Sequence, residues 1–161
     1  MDSADEHVRE VYAKYGLAAY YSQCLERSLA AILVFVHGPE PKQITRRELD
    51  RVLNQTYKLT MGQLLAKLGG ASSIGGLDSA LSAALKKRNW LIHSYFWDRA
   101  GHFMSETGRN FMLKELDEIR TILETVDDQL EEIYERRIKE LGISPEIFDR
   151  QMQKLINEGA T

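Results

Sequence analysis

The distribution of proline is the feature of this sequence that most limits its possible folds. The chain has three prolines, at positions 39, 41 and 145, so the stretch between the second and the third contains none. Proline disrupts a helix because it lacks a backbone N–H and clashes with the preceding turn. In the proline-free stretches, apolar residues recur three and four positions apart, as they do on one face of a helix. These two features predict an all-α protein with long helices.

Glycine clusters and prolines divide the chain into helical segments. The prediction is a single helical domain over residues 1–161, an up-and-down bundle of four to five main helices with its core over about 5–141. The predicted segments are a long helix over about 5–36, a second from about 45 to 56, a short one over 60–68, a third from 77 that breaks at 98–101, a fourth over about 105–141, and a short C-terminal helix over about 144–157.

Charge and cysteine content narrow the classes of function. The 161 residues include 21 basic and 24 acidic side chains, a net charge of −3, so any nucleic-acid contact must come from a local basic patch. Cys24 is the only cysteine, which excludes an intramolecular disulfide and a cysteine-based zinc site. The histidines lack metal-ligand spacing, the N-terminus is acidic, and the longest apolar run is too short for a bilayer. We therefore expect a cytoplasmic protein with no metal, cofactor or membrane segment.

Residues 88–93 combine side chains that suit phosphoryl transfer. They read Arg-Asn-Trp-Leu-Ile-His. Asn89 and His93 are four apart on the predicted helix, so the amide can hydrogen-bond the imidazole and fix its tautomer. Arg88 lies roughly 140° round the helix from His93, and its guanidinium is a charged fork for phosphate. Because imidazole exchanges protons near neutral pH, these groups need no metal if RNA supplies its own 2′-hydroxyl as nucleophile.

The order of residues in this motif is similar to that of a known superfamily. Arginine, then Asn, Asp or His, three variable residues and histidine, set late in an all-helical chain, resembles the HEPN superfamily (higher eukaryotes and prokaryotes nucleotide-binding). Looser similarities lie in residues 20–26, in residues 59–64 and in the long helix after the motif. The resemblance implies a homodimer whose two motifs face each other across a basic cleft. It also implies a metal-independent endoribonuclease, often a toxin or a phage-defence effector, that leaves 2′,3′-cyclic phosphate and 5′-hydroxyl ends.

The resemblance gives each motif residue a role. His93 would act on the ribose 2′-hydroxyl or on the leaving group, Arg88 would stabilise the phosphorane charge, and Asn89 would orient His93. The expected partners are a second copy of the chain, RNA as the substrate, and an antitoxin or another protein. Five further residues near the motif are basic or aromatic and are candidates for RNA contacts: Lys86, Lys87, Tyr95, Arg99 and Arg109.

Two other classes of function stay open at the level of sequence. One is a binding module, in which the same dimer binds a nucleotide, an uncut RNA or a protein partner. The other is a structural adaptor, in which the apolar stripe over 111–138 builds an oligomer and the motif is a coincidence. Between Glu115 and Glu135, nine carboxylates accompany one arginine. Such a stretch is either a solvated helix face or a surface for a partner.

Overall fold

All the secondary structure in the computed structural model is helical over the residues that it describes, which are 3–37, 46–68, 74, 76–140 and 142. None of these residues lies in a β-strand, so the predicted all-α class is confirmed. The predicted C-terminal helix over 144–157 lies outside the described residues. The helices are α1 (Ser3–His37), α2 (Arg46–Thr56), α3 (Met61–Lys67), α4 (Asp78–His93), α5 (Tyr95–Asp98), α6 (Ala100–Phe103) and α7 (Glu106–Glu140).

Helices α1 and α7 are both 35 residues long and pack side by side along an apolar seam. Lys14 pairs with Asp117 at 2.8 Å, and further along both helices Tyr21 donates a hydrogen bond to Glu124. Each pair is 103 residues apart in sequence, so α1 and α7 run parallel. Fully buried apolar side chains three, four or seven residues apart form the seam: Val11, Ala18, Leu25, Leu29 and Ile32 from α1, and Met112, Leu116, Ile119, Leu123 and Leu130 from α7.

Helix α4 runs back along α1 in the opposite direction. Arg88 in α4 meets Glu26 of α1, and Phe96, which follows α4, packs on Tyr15 nearer the start of α1. Helix α3 lies against α1 and buries Met61 and Leu64 in the same core. Helices α3 and α4 therefore both pack on α1, and α4 also contacts α7.

The predicted boundaries of α1, α2, α3 and α7 agree with the structure to within two residues. Thr60 caps α3, since its side chain and that of Gln63 exchange hydrogen bonds with each other's backbone N–H. Such boundaries are predictable because caps and turns are local features of the sequence.

The predicted break after α4 is misplaced, because the helix ends at His93 and not at 98–101. Ser94 turns the chain, and the two short helices α5 and α6 follow, separated by Arg99. This bend brings Phe96 and Phe103 against Tyr12 in α1, with ring centroids 5.5 and 5.6 Å away. These ring contacts join α5 and α6 to α1.

Candidate functional site

The motif occupies the second half of α4, and its three polar side chains point in two directions. The side chain of Arg88 turns towards α1, whereas Asn89 and His93 are exposed. This follows from helical geometry, since residues five apart are separated by roughly 140° around the axis. Within one chain, the guanidinium and the imidazole therefore face different surroundings.

Arg88 is held by two neighbours, one on each side of its guanidinium. Its Nη2 lies 2.7 Å from Oε1 of Glu26, and its Nη1 donates to Oδ1 of Asn89 at 3.1 Å. The two ion-pair side chains are only 20% and 24% exposed, so water screens the pair less than a surface pair. The approach to Glu26 lacks hydrogen-bond geometry, and Nε of Arg88 and Oε1 of Glu26 are buried without a hydrogen bond among the described residues. The Nε–H of the guanidinium is therefore an unpaired donor that is shielded from solvent.

Asn89 does not orient His93 in this structure. Its side-chain oxygen accepts from Arg88, and no hydrogen bond joins the amide to the imidazole in the described part of the chain. The predicted role of Asn89 as the residue that fixes the tautomer of His93 has no hydrogen bond behind it in the described part of one chain, and it stays a prediction. His93 itself has no hydrogen-bond partner among the described residues, and it is the last residue of α4.

The basic residues predicted to lie around the motif fall into two groups. The lysines, Lys86 and Lys87, are exposed, whereas the arginines make hydrogen bonds within the protein. Arg99 makes two hydrogen bonds with Glu115, at 2.7 and 2.6 Å, and these bonds raise the pKa of its guanidinium. Arg109 donates to the backbone oxygen of Phe103 at 3.0 Å. The two arginines hold the α5–α7 region together, so the exposed positive charge near the motif comes from the lysines.

Tyr95 is not available to stack on a base in this structure. Only 1% of the residue is exposed, and its hydroxyl donates to the backbone oxygen of Met112. Burial raises the pKa of the Tyr95 hydroxyl, and the charge of Glu115 raises it further. Its sequence position two residues after His93 suggested an exposed ring, but the turn at Ser94 directs the ring into the core.

The structure contains a row of contacting aromatic and guanidinium groups beside the motif, which the sequence did not predict. The guanidinium of Arg99 lies 4.8 Å from the Trp90 ring centroid and 5.7 Å from that of Phe111. His102 stacks on the far side at 5.0 Å from Phe111. Phe111, which periodicity places in the buried stripe of α7, is 47% exposed and belongs to this row. The contacts join segments about ten residues apart, so no helical spacing reveals them.

A cavity of about 190 Å³ lies on the side of α1 that carries the ion pair to Arg88. Its lining includes the carboxylate of Glu26, so the cavity and the motif share a side chain. The lining comes from α1, from the turn after α2 and from α3, segments that sequence spacing alone does not bring together. The lining residues are Gln23, Glu26, Arg27, Tyr57, Leu59 and Leu64.

The acidic stretch of α7 is only partly a solvated face. Glu115 pairs with Arg99, Asp117 with Lys14, and Glu124 with Arg120 and the hydroxyl of Tyr21. The five remaining exposed carboxylates of this stretch face solvent: Glu118, Asp128, Glu131, Glu132 and Glu135. Asp127 is half-buried and differs from both groups. Burial raises the pKa of its carboxyl, the nearby hydroxyl of Ser28 opposes this shift, and the charge of Asp128 adds to it.

Comparison with known proteins gives no relative from which a function could be inferred, so the motif and its surroundings are the basis for a proposal. No protein-family model, curated protein or solved structure matches this chain. Within the described residues, no group of three or more His, Cys, Asp or Glu is placed to hold a metal ion. Nor does any described helix have the length and apolar character needed to cross a membrane.

Proposed function

We propose that this protein is a metal-independent endoribonuclease of the HEPN type that works as a homodimer. The observation that carries the proposal is the arrangement of α4. It presents an exposed imidazole without a hydrogen-bond partner among the described residues, and on another side of the same helix a guanidinium whose Nε–H makes no hydrogen bond. These are the groups that cleavage of RNA by its own 2′-hydroxyl requires.

In the proposed reaction, the 2′-oxygen of a ribose attacks the adjacent phosphorus while the bond to the 5′-oxygen of the next nucleotide breaks. His93 takes the proton of the 2′-hydroxyl or gives one to the leaving 5′-oxygen. The guanidinium of Arg88 stabilises the extra negative charge on the phosphorane. The products are a 2′,3′-cyclic phosphate and a 5′-hydroxyl, and no metal takes part.

Pairing of two chains supplies what one chain lacks. Within a chain, Arg88 and His93 lie on different sides of α4, and no contact joins them. A second motif facing the first adds another imidazole and another guanidinium to the same phosphate. Ile92, between Asn89 and His93, is 38% exposed, and Trp97 is 87% exposed, so the motif carries apolar surface that a second copy would cover. Lys86 and Lys87 supply the positive charge that attracts the RNA backbone.

The deciding experiment compares wild type, His93→Ala and His102→Ala on a mixed RNA pool in EDTA, with analysis of product ends. His102 is an exposed histidine of α6 outside the motif, which makes its variant a matched control. We expect wild type and His102→Ala to leave cyclic phosphate ends and His93→Ala to lose at least a hundredfold in rate. Light scattering verifies that all three are dimers. Cleavage by dimeric His93→Ala at the wild-type rate would rule out this mechanism.

A second candidate function is a dimeric binding module without catalysis. The observation that favours it is the Arg88–Glu26 ion pair, which gives Arg88 a structural role between α4 and α1 that needs no substrate. This candidate predicts RNA or nucleotide binding without products in wild type, and an Arg88→Ala variant that loses stability. Arg88→Lys separates the two roles, because lysine keeps the charge but not the fork that phosphate chemistry uses.

The proposed cellular setting is the cytoplasm, where uncontrolled cleavage of RNA stops growth. An antitoxin or another protein partner would then be needed to restrain the enzyme, as in toxin or phage-defence systems. Induced expression of wild type in bacteria should arrest growth, and expression of His93→Ala to the same level should not. Equal growth of both cultures, with intact soluble protein, would remove the toxin assignment and leave the biochemical one to the RNA assay.

A further inference from the structure

The cavity beside the motif is lined by groups that differ in chemistry from wall to wall. Glu26 supplies a carboxylate and Gln23 an amide on one side, while Leu59 and Leu64 form an apolar side. Tyr57 provides an aromatic ring. A carboxylate only accepts hydrogen bonds, whereas an amide both donates and accepts them. This combination suits a flat ring system that carries several N–H donors on one edge.

The remaining wall is planar and cationic. The guanidinium carbon of Arg27 lies 4.4 Å from the centroid of the Tyr57 ring, so the two groups stack. Bases of single-stranded RNA stack on aromatic rings and on guanidinium planes. With a volume of about 190 Å³, the cavity is smaller than typical ligand pockets, which are about 300–1,000 Å³. It therefore has room for one base and not for a whole nucleotide.

Glu26 connects this cavity to the motif. One of its carboxylate oxygens, Oε1, lies 2.7 Å from Nη2 of Arg88, and the same side chain lines the cavity. A base bound against Glu26 is thus separated from the Arg88 guanidinium by the width of one carboxylate. A phosphate on Arg88 and a base in the cavity can accordingly belong to neighbouring nucleotides of one strand.

We propose that the cavity is a subsite for a guanine base of the RNA strand. Guanine is favoured over the other bases because its N1–H and N2–H₂ groups lie side by side and can both donate to the second carboxylate oxygen of Glu26, since Oε1 is buried against Arg88. Its O6 is an acceptor for Gln23 or Arg27, and its rings fit between the stacked pair and the two leucines. Adenine and cytosine have an unprotonated ring nitrogen at the corresponding edge, which a carboxylate repels. Uracil offers a single N–H flanked by two carbonyl oxygens, which a carboxylate repels. The subsite gives the enzyme a preference for RNA with guanine next to the cut, and to that extent it rests on the proposed function.

Binding of single nucleotides tests the subsite without any cleavage. We would titrate the protein with guanosine, adenosine, cytidine and uridine 5′-monophosphates by calorimetry, since the four ligands share a phosphate and differ only in the base. Guanosine monophosphate should bind about tenfold more tightly than each of the others. Equal binding of all four, or no binding of guanosine monophosphate at millimolar concentration, would overturn the proposal.

Two tyrosine variants locate the bound base. Tyr57→Leu removes the stacking ring and should weaken guanosine monophosphate binding about tenfold, whereas Tyr20→Leu, at an exposed tyrosine of α1 outside the cavity, should leave it unchanged. If both variants bind like wild type, the nucleotide lies elsewhere and the subsite is refuted. Circular dichroism verifies that both variants are folded.

The cleavage map separates failure of the subsite from failure of the ribonuclease. Cuts next to guanine that become less selective in Tyr57→Leu support the subsite. Cuts without base preference, together with no selective nucleotide binding, refute the subsite and leave the ribonuclease in place. Selective guanosine monophosphate binding by a protein that cuts no RNA removes the ribonuclease and keeps the cavity as a guanine site.

Discussion

The α1–α7 pair and the α4–α6 segment use their apolar side chains in different ways. In the pair, leucine, isoleucine and valine residues are fully buried along a seam between two uninterrupted helices. In the segment, aromatic side chains bridge three shorter helices, and several of them stay partly exposed, with Trp97 at 87%. The pair therefore buries a continuous apolar seam, while the segment presents groups that a ligand can reach. The candidate site lies on the less buried of the two regions, where side chains can contact a ligand without disruption of the core.

The largest expected effect comes from the seam itself. Leu116→Ala removes a fully buried side chain in α7 and should lower the free energy of unfolding by about 2–5 kcal/mol, measured by urea denaturation. Leu17→Ala, at a leucine of α1 that is 41% exposed, should cost less than about 1 kcal/mol. Equal losses in the two variants would mean that the seam is not the main source of stability.

Gly108 marks the place where the segment joins the pair. A β-carbon at this position would overlap the backbone carbonyl of His102, so Gly108→Ala should cost about 1–3 kcal/mol through a forced shift of α6 away from α7. Gly16→Ala in α1 meets open space and should instead gain about 0.5–1 kcal/mol from the higher helix propensity of alanine. Thermal denaturation should show a lower melting temperature for Gly108→Ala and a higher one for Gly16→Ala. A higher melting temperature for both variants would show that α6 does not approach α7 closely.

An ion pair between Arg99 and Glu115 joins the segment to α7. Glu115→Gln weakens two hydrogen bonds to a guanidinium that is 24% exposed and should cost about 1–2 kcal/mol. Glu118→Gln, at an exposed carboxylate of the same helix, should be neutral to within about 0.5 kcal/mol. Urea denaturation compares the two, and a neutral Glu115→Gln would assign the segment's stability to its aromatic contacts alone.

The smallest effect concerns a carboxyl at the edge of the seam. Because burial raises the pKa of Asp127, the folded protein holds this proton more tightly than the unfolded chain. The free energy of unfolding therefore falls as the pH rises from the pKa that Asp127 has in the unfolded chain through its raised pKa in the folded protein. Asp127→Asn removes this fall and should gain up to about 1 kcal/mol at pH 7 and less at pH 4, a small effect because the group is half-buried. Denaturation at both pH values measures it, and an equal change at each would exclude ionisation as the cause.

The long helices were predictable because their signals are local. The spacing of Leu116, Ile119 and Leu123 defines one helix face, and Gly142 adopts a φ of +67° just after the helix that it ends. Burial of these residues follows from the same spacing, whichever partner helix covers them.

The surroundings of the motif were not predictable, since they depend on residues distant in sequence. Glu26 lies in α1 and gives no local sign that it will meet Arg88. Tyr95 and Arg99 look like surface residues in the sequence, but Met112 and Glu115 of α7 accept their hydrogen bonds. Residue type and spacing indicate what chemistry Arg88 and His93 can do, whereas only the fold decides which partners occupy them.

The parallel arrangement of α1 and α7 also affects how the chain is made. Residues that meet across the seam are 103 positions apart, so α1 leaves the ribosome long before its partner exists. At synthesis rates of about 5–20 residues per second, each residue of α1 is made roughly 5–20 seconds before the residue of α7 that it contacts. Helices α2 and α3 are made in between and lie against α1, so among the described elements they are the first that can shield part of α1 during translation.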